Sequence, residues 1–376
     1  MHEETWALLV LTLVPKLGRK RIQQLVAHIG SAREVCRLRE ADLRHYRVPA
    51  AARKVLLSGR ADKIAESQLE QARAVNARVI SKYDPEYPDL LRQIPDPPQI
   101  LYFRGNSALL KEPSIAIVGS RRCSAYGSEI SLKVAGELSR FGLVVTSGLA
   151  RGIDSRAHQG ALEAGGATIA VLGCGVDVVY PRENARLYDQ ILEKGCLVTE
   201  FPCRCYPAPP NFPVRNRIIS GLSLGTIITE AARFSGSLIT ARLTLEQDRE
   251  LWAVPGALTN PGSFGPNHLI KQGAHPLLSA QDVLDQLRPD ILEGLLNLAS
   301  ASNEAVTESA CSSPTSLSRQ ERLVLKLLEP HRPRHIDELV ESTNEELPSL
   351  QHTLLALELK GLIRQTPGRC FHKRLL

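Results

Sequence analysis

A chain of 376 residues that is 43% hydrophobic and 23% charged is globular, long enough for one large domain with smaller satellites. No run reaches the roughly 18 apolar residues of a membrane span, and the apolar stretch Trp6 to Val14 follows Glu3 and Glu4 rather than basic residues, so a cytoplasmic protein without a membrane partner is expected. The net charge of +6 is unevenly spread: residues 1–76 hold 14 Lys+Arg against 8 Asp+Glu, 77–288 hold 22 against 20, 289–317 hold none against 4, and 318–376 hold 10 against 8, which makes the ends, above all the first, suited to a polyanion. The eight cysteines follow no zinc spacing, and a chain of this size needs no disulfides, so reduced thiols and no metal or other cofactor are expected.

Residues Thr5 to Gln71 read as short helices: Trp6 to Val14, Lys20 to Ile29, Ala32 to Cys36, Glu40 to Tyr46 and Pro49 to Leu57. The turn Val14 to Lys20 resembles a helix-hairpin-helix element with Lys16 in place of the first of its two glycines, and a sterile-alpha-motif-like (SAM-like) packing module is an equal reading of 1–76. The prolines of Ser81 to Asn106 predict an extended connection, with Ile100 to Phe103 as an edge strand. From Ser114 onward strand starts fall near 115, 143, 168, 197, 226 and 251, a beat of one strand, one helix and two loops. The fold class is therefore α/β: over 77–288, a Rossmann-like parallel sheet flanked by helices, with ligands at the carboxyl ends of its strands. The intervening helices are predicted near Gly127 to Arg140, Ile153 to Ala164, Ala185 to Lys194, Arg215 to Gly221, Leu238 to Gln247 and Ala280 to Leu287. Residues 289–317 read as a flexible linker, and 318–376 as a winged-helix domain, from helical patterns at Arg319 to Leu328, His335 to Val340 and Leu347 to Leu359 and a terminal hairpin.

Three strands empty into glycine: Gly119-Ser120-Arg121-Arg122, Ser147-Gly148-Leu149-Ala150-Arg151-Gly152, and Gly173-Cys174-Gly175. Glycine lets backbone approach a ligand, and a following helix points unpaired N–H groups at the same place, so the loops form an anion site. The first loop lacks the further glycines of a dinucleotide fingerprint, and no Gly-x-x-x-x-Gly-Lys-Ser/Thr stretch exists. Arginine is supplied instead, at Arg121, Arg122, Arg151, Arg182, Arg215, Arg217 and Arg233. Several planar forks along one rim suit a sugar-phosphate strand better than one small ligand. Phe212 and Phe234 lie beside these bases, either to stack an unpaired nucleobase or to fill the core.

The ordered motifs Val118 to Arg121, Ser147 to Asp154, Leu172 to Asp177, Tyr180 to Asn184, Phe212 to Ile219 and Ser235 to Thr240 resemble the signature set of the DNA-processing protein A family, also called DprA or Smf. The resemblance implies a protein that binds single-stranded DNA, shields incoming strands during natural transformation, loads the RecA recombinase onto them, and forms a homodimer through the central fold. On that carry-over Arg121 and Arg182 stand where the family places contacts to the DNA backbone, Arg233 fills a basic slot, and Asn216 and Ser235-Gly236-Ser237 join the site.

A second reading is a nucleotide enzyme related to the nucleoside monophosphate phosphoribohydrolases, whose loop reads Pro-Gly-Gly-x-Gly-Thr-x-x-Glu. Here Gly225-Thr226-Ile227-Ile228-Thr229 is followed by Glu230 one place late. One residue along a strand turns a side chain to the opposite face, so the acid is out of its slot and a non-catalytic protein is expected.

Overall fold

The computed structural model describes residues 2–295 and, further on, 319–328, 334–343, 350, 353–354, 357–358, 362–366 and 370–373. These residues belong to two units, Met1–Ala301 and Ser302–Leu376. The first begins with six helices, α1 (Glu3–Leu13), α2 (Arg19–Ile29), α3 (Ala32–Cys36), α4 (Glu40–His45), α5 (Ala50–Leu57) and α6 (Arg60–Ala74). The 15-residue α6 is longer than any helix expected in this region. Lys16, in the turn before α2, adopts φ 65°, the left-handed backbone for which a hairpin turn normally uses glycine.

A nine-stranded sheet follows: β1 (Arg78–Ser81), β2 (Ile100–Gly105), β3 (Ser114–Val118), β4 (Val144–Ser147), β5 (Thr168–Val171), β6 (Cys196–Thr199), β7 (Gly225–Ile228), β8 (Glu250–Ala253) and β9 (His275–Pro276). Its order is β1-β2-β6-β5-β4-β3-β7-β8-β9. Strands β3 to β9 pair in parallel, while β2 pairs antiparallel with both β1 and β6. Ile100 to Phe103 is thus not an edge: β1 covers it. The interposed helices are α7 (Asp89–Arg92), α8 (Ala125–Arg140), α9 (Ile153–Glu163), α10 (Ala185–Lys194), α11 (Asn211–Leu222), α12 (Ser237–Glu246), α13 (Phe264–Lys271), α14 (Gln281–Leu284) and α15 (residues 289–295).

Every residue of β3 is buried, as a strand covered on both faces requires. Ile115 and Ile117 pack with Val134 and Leu138 of α8 and Ala157 of α9, while Ala116 and Val118 pack with Ile218, Ile219 and Leu222 of α11. A third core joins α1 and α2 to α10 and to Ala170 and Leu197 of the sheet. The Thr5 hydroxyl is tied to Ser81 Oγ at 2.8 Å and donates to Asp84 Oδ2 at 2.7 Å, so the helices of residues 1–76 are bonded to the sheet's edge strand.

Residues 289–295, expected as the start of a linker, are helical instead, because Leu295 is buried with Ile291 and Leu292 against the β3–β4 core. The rest of that expected linker, and most of the predicted helix Leu347 to Leu359, lie outside the described residues. The second unit contains α16 (Arg319–Leu327), β10 (Arg334–His335), α17 (Ile336–Thr343), β11 (Ile363–Thr366) and β12 (Cys370–Lys373), with sheet order β10-β12-β11. Its core of Val324, Leu328, Ile336, Leu339, Leu354 and Phe371 is that of a winged helix.

Candidate nucleic-acid interface

Strand order reverses at β3: α8 leads toward β4 on one side, and β7 returns on the other. Loops after β3 and β7 therefore diverge and leave a crevice, the position where open α/β sheets hold ligands. A cavity of about 1010 Å³ opens there. Of the residues expected at the site, Gly119, Ser120, Arg121, Arg122, Phe212, Arg215, Asn216, Arg233, Ser235, Gly236 and Ser237 line it. Gly148 and Arg151 line a smaller recess beside it, and Arg182 is exposed on the neighbouring turn Arg182–Asn184.

The crevice is built by close backbone approach. A Cβ on Gly119 would stand 2.7 Å from Ile153 Cγ1 and 2.9 Å from the Glu230 carbonyl oxygen. The Ser120 N–H donates to that same carbonyl at 2.7 Å, and the Ile153 N–H donates to the Ser120 carbonyl at 3.2 Å, which laces the loops after β3, β4 and β7 together. The buried Asp154 carboxylate completes the lacing by accepting the backbone N–H groups of Gly119 and Ala150. Burial pushes its carboxyl up, and Arg215 opposes that shift.

Two arginines differ from expectation. Arg215 is 3% exposed, and its Nη1 donates to the Val171 carbonyl at 2.9 Å from directly beneath Gly148, where a Cβ would lie 1.7 Å away. Burial lowers its pKa to about 10, so it still gives the cavity floor a fixed positive charge at neutral pH. Arg217 points away altogether: its guanidinium grips both oxygens of Glu200 at 2.6 and 2.7 Å and reaches Asp96 at 3.3 Å. Arg19 of α2 joins the same acids, at 3.1 Å from Asp96 and 3.6 Å from Glu200. Arg217 is therefore part of an internal ion network and does not line the crevice. Ser147 is likewise structural, donating its hydroxyl to the Ile117 carbonyl at 2.6 Å.

The cations at the mouth stand against rings. Arg121 lies 5.0 Å from the Phe212 ring centre, and Tyr180 packs on Phe212 at 5.6 Å. Across the cavity Arg233 sits between Phe234 and Phe264, at 5.8 and 5.7 Å. Phe234 is 94% exposed, so it is not a core residue. Tyr180 was read only as the first residue of the motif Tyr180 to Asn184, and Phe264 was missed by sequence reasoning; at the start of α13 it lies far along the chain from Arg233, and only its place at the head of a helix after the turn Asn260-Pro261-Gly262-Ser263 marks it. Among the described residues Arg121, Arg122, Arg182 and Arg233 form no ion pair, whereas Arg151 is bonded to Glu183. The hydrogen bond from Arg151 holds the Glu183 carboxyl below the usual carboxylate range.

Glu230 is turned out of the crevice. Its carboxylate accepts the Ser124 N–H at 2.8 Å, the Ser124 hydroxyl, and the Asn260 amide at 3.4 Å, so it fixes the head of α8. Among the described residues no group of three or more His, Cys, Asp or Glu side chains could hold a metal ion.

The fold and site thus define a Rossmann-like sheet with an arginine- and ring-lined crevice at its switch point, followed along the chain by a winged-helix domain. Residues 78–288 match the family DNA recombination-mediator protein A and residues 308–369 match the DprA winged helix domain, and the chain belongs to that family. Its relatives include Protein Smf of Escherichia coli K12, 40% identical over 312 residues that span 81% of this chain and 80% of that one. DNA processing protein DprA of Bacillus subtilis is 45% identical over 203 residues, 54% of this chain and 68% of that one. Among solved structures, DNA processing protein A of Streptococcus pneumoniae superposes with a TM-score of 0.66 at 35% identity, over 77% of this chain and 99% of that one. DNA processing protein A of Helicobacter pylori, solved for its single-stranded DNA binding mode, superposes with a TM-score of 0.51 at 30% identity, over 59% and 96%.

Proposed function

We propose that this chain binds single-stranded DNA along the switch-point crevice without reading its sequence, and loads a RecA recombinase onto the strand. The observation that carries the reading is the pairing of cation and ring at both walls, Arg121 with Phe212 and Arg233 with Phe234 and Phe264. A guanidinium meets a phosphate, a ring meets an unpaired base, and neither distinguishes one base from another. The buried Arg215 adds attraction from below. Single-strand binding by the H. pylori relative supports this assignment.

In the proposed division of labour residues 77–288 carry the strand, 1–76 form a helical module, 289–317 link, and 318–376 serve a partner or duplex. Loading of RecA, assembly as a homodimer through the central fold, and a cytoplasmic location in a transformation or recombination pathway rest on the family resemblance. The protein acts as a binding mediator and not as a nucleotide enzyme: the one acid near the hydrolase slot, Glu230, is occupied in holding Ser124 and Asn260. Titrating the chain with single-stranded and duplex oligonucleotides at two salt concentrations, with released free base measured in parallel, tests both. Preferential, salt-sensitive capture of single strands with no base release is expected; base release, or no preference for single strands, overturns the reading.

A further inference from the structure

Among the described residues, Arg151 alone of the exposed arginines around the crevice forms an ion pair. It stands where the recess beside the crevice meets an outer groove along α9, and it lines both. Its partner, Glu183, is held in place rather than swinging freely. The next residue, Asn184, donates its amide to the Leu149 carbonyl at 2.9 Å and to Ser155 Oγ at 2.8 Å, which pins the turn Arg182–Asn184 to the loop after β4. The acid is thus carried on the same short turn as Arg182, on a rim otherwise rich in cations. A carboxylate there repels a polyanion, and an exposed ion pair adds little to stability, so neither strand binding nor folding accounts for it.

Building on the strand-binding reading, we propose that Glu183 is an internal competitor for the strand: its carboxylate occupies the donor face of Arg151 that a DNA phosphate takes in the complex. A carboxylate and a phosphate oxygen present the same acceptor to a guanidinium fork, so one must leave before the other arrives. Each phosphate gained at Arg151 costs one ion pair already made. This lowers affinity at a single contact and helps the strand leave, which suits a protein that hands its strand to another.

The competition has a signature in salt. When a phosphate replaces Glu183, the DNA sheds a condensed cation, but salt also screens the ion pair that must open, so Arg151 contributes less to the net salt dependence than an unpaired arginine does. The test uses the full-length chain and a fluorescent oligothymidylate, titrated over a series of salt concentrations. Glu183→Gln is expected to bind about 3-fold tighter at low salt, with the logarithmic salt slope steeper by up to about 0.7, the single-strand value for one added phosphate contact. In an Arg151→Ala background the same replacement is expected to leave the slope unchanged.

Equal or weaker binding by Glu183→Gln overturns the proposal, since a carboxylate that merely positions Arg151 would be missed when removed. An equal steepening in the Arg151→Ala background also overturns it, because the effect would then be general repulsion. If the unaltered chain captures no single strands, the functional reading falls as well; if it does and Glu183→Gln binds no better, only the competitor falls.

Discussion

Arg121 and Arg215 carry the same charge into one cavity, but the first is free to meet a phosphate and the second is built into the wall. Replacing Arg121 with alanine is expected to weaken binding to single strands of any sequence and to reduce the salt slope by about 0.7, measured by oligonucleotide titration; a sequence-dependent loss would speak against backbone contact. Gly148→Ala tests the wall, because a Cβ there falls 1.7 Å from Arg215 Nη1 and the buried guanidinium must move. A loss of about 1–3 kcal/mol in urea unfolding is expected, together with weaker strand binding. Next to this wall His158 is fully buried, with Nδ1 2.6 Å from the Thr168 hydroxyl, and burial and then Arg215 lower its pKa to about 3. The unfolded chain takes up a proton near pH 6.5 that the folded chain refuses, so this group's contribution is complete above pH 6.5 and is lost as the pH falls toward 3. His158→Gln should flatten the fall in stability between pH 6.5 and 5 by up to about 1.4 kcal/mol per pH unit, read from urea midpoints, while other titrating groups are common to both proteins and cancel. At this scale the sequence revealed which residue types gather at the crevice but not which way each faces. Arg217 was misplaced because two residues along a helix turn a side chain by about 200°, so with Arg215 under the crevice Arg217 faces the other way, toward Glu200.

The strands were legible because each is a short apolar run, three of them empty into glycine loops, and they recur at the interval of one strand, one helix and two loops; all six predicted starts fall within a residue of those observed. The antiparallel edge was not, since β1 is four residues long and only its pairing with β2 defines it. Nor was the docking of the N-terminal helices onto the sheet, which rests on an apolar core shared with α10 and on charges far apart in sequence: Arg19, Asp96, Glu200 and Arg217 meet only in the folded chain. That network puts a physical role on part of the basic excess of residues 1–76, because Arg19 is spent inside the molecule and not on a polyanion. Its two central members are nearly buried, with side-chain exposures of 6% for Arg217 and 11% for Glu200. Removing one partner strands the other's charge, and Glu200→Ala is expected to destabilise the first unit by about 3 kcal/mol, visible as a lower urea midpoint at unchanged m. Replacing Arg19, half in solvent, should cost under about 1 kcal/mol by the same measurement.

Across the whole chain, composition located a change of character after Arg288, but packing places the end of the first unit later. The Ser-rich run that suggests a linker begins only beyond α15, and the apolar residues Ile291, Leu292, Leu295 and Leu296 are spaced as on one helix face, a pattern overlooked when the boundary was drawn at the change of charge. Leu295 is 3% exposed and reaches Gly142, in the turn between α8 and β4, so α15 closes the face of the sheet on which α8 and α9 lie. The second unit fills its core from its own residues, Val324 to Phe371. A chain ended at Ala301 should therefore fold cooperatively, melt close to the temperature of the corresponding transition in the full chain, and bind single strands with an unchanged salt slope, since every cavity-lining residue is retained. A chain ended at Arg288 should instead lose about 1.5–3 kcal/mol for Leu295 alone and melt lower, while any strand binding that survives keeps the same slope, because the arginines are untouched. Equal melting of the two truncations would show that α15 contributes nothing to the sheet's core; loss of strand binding at both cuts would move part of the interface into the winged helix.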